Sequence, residues 1–160
     1  MTSRIPPPPV LASARVVAYA FVDDIAFKKG GALYSGDKLI EAVPCLAIAV
    51  NLGKDIGPLL FHCDSEWDVL GTSGGPTIDE TKLRAERNYP GVATRWVNLN
   101  TSVEEALRYY DAVADARRCS FCNKRAFEFT GVVEGKDAAI CRECVEAFYK
   151  GFHEPGDSSA

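Results

Sequence analysis

The segments Cys119-Ser120-Phe121-Cys122 and Cys141-Arg142-Glu143-Cys144 decide the fold of the C-terminal part of this chain. Each segment carries two cysteines three positions apart, and eighteen residues separate the two pairs. The turn between paired cysteines points both sulfurs inward, and its backbone amides can hydrogen-bond to the thiolates. Two such pairs at this separation are typical of a structural zinc site, so the sequence predicts one bound Zn²⁺. The predicted ligands are Cys119, Cys122, Cys141 and Cys144.

A zinc ion held by four protein ligands has no open position for water or substrate. We therefore expect it to fold the module and not to activate a nucleophile. Two alternatives use the same cysteines, a pair of redox-active CxxC motifs or an iron-sulfur cluster. Redox motifs normally occur singly beside a βαβ pattern, and cluster-binding runs have other spacings, so both fit less well than zinc.

The residues around these cysteines resemble the ClpX-type four-cysteine zinc finger, a small module found ahead of the motor in that protein-unfolding ATPase. The resemblance covers about residues 117–150 and rests on the stretches 118–124 and 139–146. In that family the finger is a treble-clef-like module that dimerises through apolar surface and receives adaptors and substrates. The resemblance implies the same four ligands here, together with an apolar set that forms the core or a dimer or partner face. That set is Phe121, Ile140, Val145 and Phe148.

Two features depart from the family pattern. The glycine that usually follows the first knuckle is Asn123, which can also adopt a left-handed conformation. The finger is C-terminal and no motor follows it, and the glycine-rich stretch 71–76 lacks the lysine that a phosphate-binding loop requires. We therefore expect a borrowed binding or dimerisation module without ATP hydrolysis.

The charge distribution disfavours nucleic acid as a partner. The formal net charge is −4, and residues 1–116 hold eleven Lys and Arg against fifteen Asp and Glu. A protein that binds phosphates usually shows a basic face. Lys124-Arg125 with Phe127 and Phe129 could form a small nucleic-acid contact, but Glu128 and Glu134 lie nearby.

Residues 1–14 are predicted to form a disordered, solvated arm, because Pro6 to Pro9 favour extended polyproline II structure. Residues 15–116 are predicted to form an α+β domain with a small, mostly antiparallel sheet. Arg15–Phe21 and Cys45–Asn51 have the apolar, β-branched character of buried strands, and a helix is expected around Asp37–Ala42.

The second half of this domain carries stronger local signals. Asp64-Ser65-Glu66 connects the apolar runs 58–63 and 67–72 and predicts a hairpin. Thr77 with Glu80 matches a capping box that opens a helix to about Asn88, and Val92–Val97 is expected to be a strand. Thr101 with Glu104 predicts a second helix, which leads to the finger at 117–152 and a frayed tail at 153–160. One face of that helix is Val103, Ala106, Leu107, Tyr110 and Val113.

No second site is predicted. His62, Cys63 and the acidic residues up to Asp68 offer metal-ligand types, but alternation along a strand points His62 and Cys63 to opposite faces. Asp23-Asp24 is expected to be a solvated strand end, and Cys45 an inert core thiol. The chain has two histidines, and no recognisable motif combines either of them with a serine or cysteine in a catalytic set. We therefore expect that this protein is not an enzyme.

These observations predict a non-enzymatic protein of bacterial type. We expect it to be cytoplasmic, because neither a signal peptide nor an apolar span is recognisable. The finger would make a homodimer or capture a protein partner such as an adaptor or a protease-associated protein. One alternative is an immunity or antitoxin protein whose acidic domain neutralises a basic toxin. The other is a zinc-finger regulator of nucleic acid.

Overall fold

The computed structural model describes residues 4–29, 33–113 and 118–154. The chain divides into two compact units, Met1–Ala112 and Val113–Ala160. Each unit is described by itself below.

The first unit is an antiparallel sheet with helices, as predicted. Its strands are β1 (Val10–Leu11), β2 (Ala14–Phe21), β3 (Leu33–Ser35), β4 (Lys38–Ile40), β5 (Cys45–Asn51), β6 (Pro58–Cys63), β7 (Val69–Gly74) and β8 (Val97–Asn98). Its helices are α1 (Ile78–Asn88), a short 3-10 turn (Val92–Thr94) and α2 (Val103–Val113).

Six strands form the main sheet, in the order β1-β2-β5-β6-β7, with β8 also paired to β2. Because β5 occupies one edge of β2, β1 and β8 share the other edge, at Ala14–Arg15 and Ala18–Tyr19 respectively. The β5 and β6 strands are almost wholly buried, which explains their nearly continuous apolar sequences.

Both faces of the sheet are covered. Alternate residues of β5 face opposite ways, with Leu46 and Ile48 in the cluster that contains Ala85 and Tyr89 of the α1 region. The buried Tyr89 hydroxyl accepts a hydrogen bond from the backbone N–H of Val43 at 2.8 Å. The second cluster, on the other face, contains Cys45, Ala47, Ala49, Tyr19, Phe61, Cys63 and Trp67.

The prediction of a solvated arm is wrong for residues 7–14, whereas Arg4, Ile5 and Pro6 are exposed. Val10 and Leu11 are buried and pair with β2 through a tight turn, and the preceding Pro7 is buried as well. The backbone carbonyl of Ile5 accepts a hydrogen bond from the indole of Trp67. The four prolines cannot donate backbone hydrogen bonds, but the carbonyl of Pro9 accepts from the N–H of Val16 at 2.9 Å. Residues 1–3 lie outside the described part.

The helix predicted over Asp37–Ala42 is also wrong. β3 and β4 form a separate two-stranded hairpin, with Ser35 paired to Lys38 around Gly36 and Asp37. Gly36 has φ of +60°, a left-handed conformation that suits a tight hairpin turn and ends any helical repeat there.

The hairpin around Asp64-Ser65-Glu66 is confirmed, with β7 beginning at Val69. The predicted N-cap of α1 is confirmed too, because Thr77 Oγ1 accepts from the N–H of Glu80 at 3.2 Å; the Glu80 carboxylate meets the Thr77 hydroxyl at 3.4 Å and not its backbone N–H. The second predicted capping box lies one residue later, on Ser102 and Glu105, where both reciprocal hydrogen bonds are formed. The prediction of a strand over Val92–Val97 is wrong, because Val92–Thr94 is a 3-10 turn and only Val97 lies in β8. The Glu86 carboxylate accepts hydrogen bonds from the N–H groups of Gly91 and Ala93 and stabilises this turn.

After residue 118, the second unit contains the first cysteine pair and a short 3-10 turn at Ala126–Glu128. Strands β9 (Val132–Glu134) and β10 (Ala139–Cys141) pair as a hairpin, and α3 (Arg142–His153) follows directly. A cysteine knuckle, a hairpin and a helix in this order have the treble-clef-like arrangement that the sequence predicted. The predicted frayed tail begins inside α3, because His153 is its last residue; residues 155–160 lie outside the described part. None of the described helices combines the length and apolar character needed to cross a bilayer.

Candidate metal centre

The first knuckle is a tight backbone turn. The N–H of Asn123 donates to the carbonyl of Cys119 at 2.9 Å, and the N–H of Cys119 donates to the carbonyl of Lys124 at 3.0 Å. Asn123 has φ of +61°, so the residue that replaces the usual glycine adopts the left-handed conformation expected of it. This turn places Cys119 and Cys122 on one side of the module.

The second knuckle is formed where β10 meets α3. Cys141 is the last residue of β10 and the N-cap of α3, and Cys144 lies in the first turn of that helix. The hairpin is tied to the first knuckle because the N–H of Ser120 donates to the carbonyl of Ala139 at 2.8 Å, and Ser120 Oγ accepts from the N–H of Ala139 at 3.2 Å.

The four sulfur atoms form a compact cluster. All of them lie within 4.8 Å of one another. The Sγ atoms of Cys119 and Cys144 are 3.7 Å apart, and those of Cys122 and Cys141 are 3.6 Å apart. A zinc ion with Zn–S bonds of about 2.3 Å requires sulfur separations of about 3.8 Å along each tetrahedral edge. The cluster therefore fits a single tetrahedral Zn²⁺ ion.

The surroundings of the cysteines favour the thiolate form of Cys119 and disfavour that of Cys141. Backbone N–H groups of Cys122 and Cys141 donate to Cys119 and lower the pKa of its thiol to about 6. Burial raises the pKa of Cys141 to about 12, which opposes an unpaired thiolate there. A bound Zn²⁺ supplies the positive charge that keeps coordinating thiols deprotonated. Four thiolates close the coordination shell, so the centre can hold structure but offers no site for a substrate.

The four apolar residues implied by the resemblance lie on different parts of the finger. Phe121 is 59% exposed, at the tip of the first knuckle, and its ring meets that of Phe148 edge-on with centroids 4.9 Å apart. Val145 and Phe148 are partly exposed on α3, whereas Ile140 is half-buried in β10. Sequence analysis did not single out Tyr149 and Phe152, although both extend the exposed apolar face of α3 at helical spacing.

The other titratable residues considered do not assemble into a centre. Among the described residues, the four cysteines are the one group of three or more side chains of ligand type close enough to hold a metal ion. His62 Nε2 lies 3.4 Å from Ser73 Oγ. Cys45 and Cys63 face each other across β5 and β6, and burial raises their pKa values to about 11 and about 12. Asp23 and Asp24 are separated, since each pairs with a different arginine, Arg4 and Arg95.

Comparison with known proteins agrees with this geometry. Residues 117–154 match the sequence profile of the ClpX C4-type zinc finger. No curated protein and no solved structure matches the chain. The cysteine cluster and the family match together identify a zinc finger that binds one structural zinc ion through four cysteines.

Proposed function

We propose that this chain is a non-enzymatic protein that acts through protein–protein contacts, and that its zinc finger serves for homodimerisation or for capture of a protein partner. The proposal goes beyond zinc binding itself. The closed metal centre maintains the structure of the finger and binds no substrate. Any contact with a partner is therefore made by the surface of the finger.

The observation that carries the proposal is the exposed apolar face of α3. Val145, Phe148, Tyr149 and Phe152 recur at helical spacing, and Phe152 is 86% exposed. Phe121 packs against Phe148 and widens this surface, which we call the finger face. Contiguous exposed apolar surface of this kind marks interaction sites in proteins that are otherwise well packed.

A groove beside the finger face favours the same interpretation. It has a volume of about 360 Å³ and is lined by Val132 and Val133 of β9, by Val145, and by the charged Arg142 and Glu146. A mixture of apolar and charged side chains is common at protein interfaces. Because Val145 belongs to both features, a partner could contact the groove and the finger face together.

Native mass spectrometry of the freshly purified protein tests this function, since it reports zinc content, subunit number and carried-over partners together. We expect a dimer with one zinc per chain, or the chain bound to another protein. Phe148→Glu should remove the dimer or partner while each chain keeps its zinc. Leu83→Glu is the matched control, because Leu83 is an exposed apolar residue of α1 outside the finger.

Two results would contradict the proposal. A wild-type protein that is monomeric at tens of micromolar and carries no partner would leave the finger face without a role. A dimer or complex that survives Phe148→Glu would place the contact elsewhere. An immunity protein remains the second hypothesis, and a basic toxin in the purified complex, released by salt and unaffected by Phe148→Glu, would favour it.

A further inference from the structure

Three aromatic side chains cluster on the sheet face where the N-terminal arm lies. Tyr19, Phe21 and Trp67 are mutually in contact, with each pair of ring centroids 5.7 Å apart and the Tyr19 ring nearly perpendicular to the other two. Asp23 follows two residues after Phe21. We call Tyr19, Phe21, Asp23 and Trp67 the arm groove.

The arm makes three kinds of contact with this groove. The indole Nε1 of Trp67 donates to the backbone carbonyl of Ile5 at 2.9 Å. The Arg4 guanidinium lies 5.3 Å from the centroid of the Phe21 ring and 2.7 Å from Asp23 Oδ1. Pro7, three residues after Arg4, is buried. The arginine is thus bound by an acid and an aromatic ring, and the free carbonyl of Ile5 is bound by an indole N–H.

These contacts match the way in which aromatic-lined grooves recognise proline-rich peptides. A polyproline II segment has no internal hydrogen bonds, so its carbonyls are free to accept from a groove residue. It also loses little conformational entropy on binding, because its φ angles are already fixed. Residues 4–9 have the composition for this mode, with arginine followed by four prolines after one intervening residue.

Trp67 has an unusual backbone conformation within the hairpin turn between β6 and β7. Its φ is +71°, a left-handed value that bulky side chains rarely adopt. Asp64 imposes the turn: its carboxylate accepts from the N–H groups of Glu66 and Asp68, both at 2.9 Å, and its carbonyl accepts from the N–H of Trp67. Backbone strain of this kind clusters at ligand clamps, where it fixes the direction of a side chain.

The first residues of the arm are exposed to solvent where they cross the groove. Ile5 is 69% exposed and Pro6 is exposed, and the Arg4–Asp23 ion pair is itself open to solvent. The next residues differ, because Val10 and Leu11 are buried and paired with β2. The carbonyl of Pro9 accepts a hydrogen bond from the N–H of Val16 in β2 at 2.9 Å, so Pro9 stays with β1 on the sheet. Residues 4–8 can therefore leave the groove without removing β1 from the sheet.

We propose that the arm groove is a binding site for proline-rich segments of partner proteins in which an arginine precedes a proline by three positions. The chain's own residues 4–8 occupy this site in cis and act as a built-in competitor. A tethered segment competes at a high effective concentration, so the partner's apparent affinity is reduced by the fraction of time that the groove is closed. All residues of the arm groove belong to the first unit, and the proposal does not rest on the function proposed for the zinc finger.

The test is a titration of the full-length, ¹⁵N-labelled chain with a blocked peptide that has the sequence of residues 3–10. The indole N–H resonance of Trp67 reports the groove, and that of Trp96, which packs against the cluster on the opposite face, is the internal control. We expect weak binding by the wild type. Arg4→Glu repels the arm from Asp23 and should raise the peptide's apparent affinity at least tenfold, with the Trp96 resonance unmoved.

A charge exchange between groove and peptide tests the specificity of the site. In Asp23→Arg, the peptide should lose binding, and a peptide with glutamate in place of its arginine should bind. Both substitutions lie at exposed positions. The proposal is overturned if the Trp67 resonance stays unmoved in Arg4→Glu at millimolar peptide, or if both peptides bind equally well. It is also overturned by a wild-type dimer that persists in Phe148→Glu and dissociates in Arg4→Glu, which would assign the groove to the arm of a second copy.

Discussion

His62 is a neutral histidine enclosed by the sheet, and it makes the first unit sensitive to mild acid. Burial lowers its pKa from an ordinary 6.5 to about 4. The proton therefore prefers the unfolded chain, so the stabilisation is complete above pH 6.5 and is lost as the pH falls towards 4. Between pH 7.5 and pH 5 we expect the free energy of unfolding to fall by about 2 kcal/mol.

Urea unfolding followed by tryptophan emission measures this effect, because Trp67 and Trp96 both lie in the first unit. His62→Gln should flatten the dependence over this pH range, whereas His153→Gln, at the exposed end of α3, should leave it intact. The same slope in wild type and His62→Gln would assign the acid sensitivity to another group.

Asn123 lies at the one non-glycine position of the finger with a left-handed backbone, among the described residues. Asn123→Gly should leave zinc affinity close to that of the wild type, because glycine adopts this conformation freely. Asn123→Val should weaken zinc binding about tenfold, since a β-branched residue there costs about 1–2 kcal/mol. Competition with a chromophoric chelator measures the ratio, and equal affinity for all three proteins would show that the knuckle adapts without strain.

Elements with a local cap could be predicted from the sequence with little error. α1 begins one residue after Thr77, whose hydroxyl accepts from the N–H of Glu80, and Asp79 and Glu80 complement the helix dipole in its first turn. Thr77→Ala should lower the free energy of unfolding of the first unit by about 1 kcal/mol. Thermal unfolding of Thr77→Ala and Thr77→Ser checks this, and a loss of the same size in Thr77→Ser would contradict a capping role.

Elements that depend on distant contacts could not be predicted in the same way. Four consecutive prolines predict a polyproline segment. They do not show that the indole of Trp67, sixty-two residues after Ile5, donates a hydrogen bond to the Ile5 carbonyl. The hairpin at β3 and β4 depends on the left-handed turn at Gly36, and the turn after α1 depends on a carboxylate that reaches forward from Glu86. In each case one side chain or one φ angle overrides the local propensity.

At the scale of the whole molecule, the two units are stabilised by different means. The first unit buries two apolar clusters on opposite faces of one sheet. The finger buries little apolar area among residues 118–154, where the fully buried side chains are those of Cys119, Ala139 and Cys141. The four ligands were predictable because metal geometry fixes cysteine spacing, whereas the first unit has no comparable constraint on its sequence.

This contrast predicts that removal of zinc unfolds the finger and leaves the first unit folded. A strong chelator should abolish the ellipticity that α3 contributes, about a third of the described α-helical residues, because an isolated helix of that length is marginal in water. Emission from Trp67 and Trp96 should not change, and added zinc should restore the lost ellipticity. Cys122→Ser should behave like the chelated protein. A shift in tryptophan emission on chelation would contradict this prediction, because it would show that folding of the sheet depends on folding of the finger.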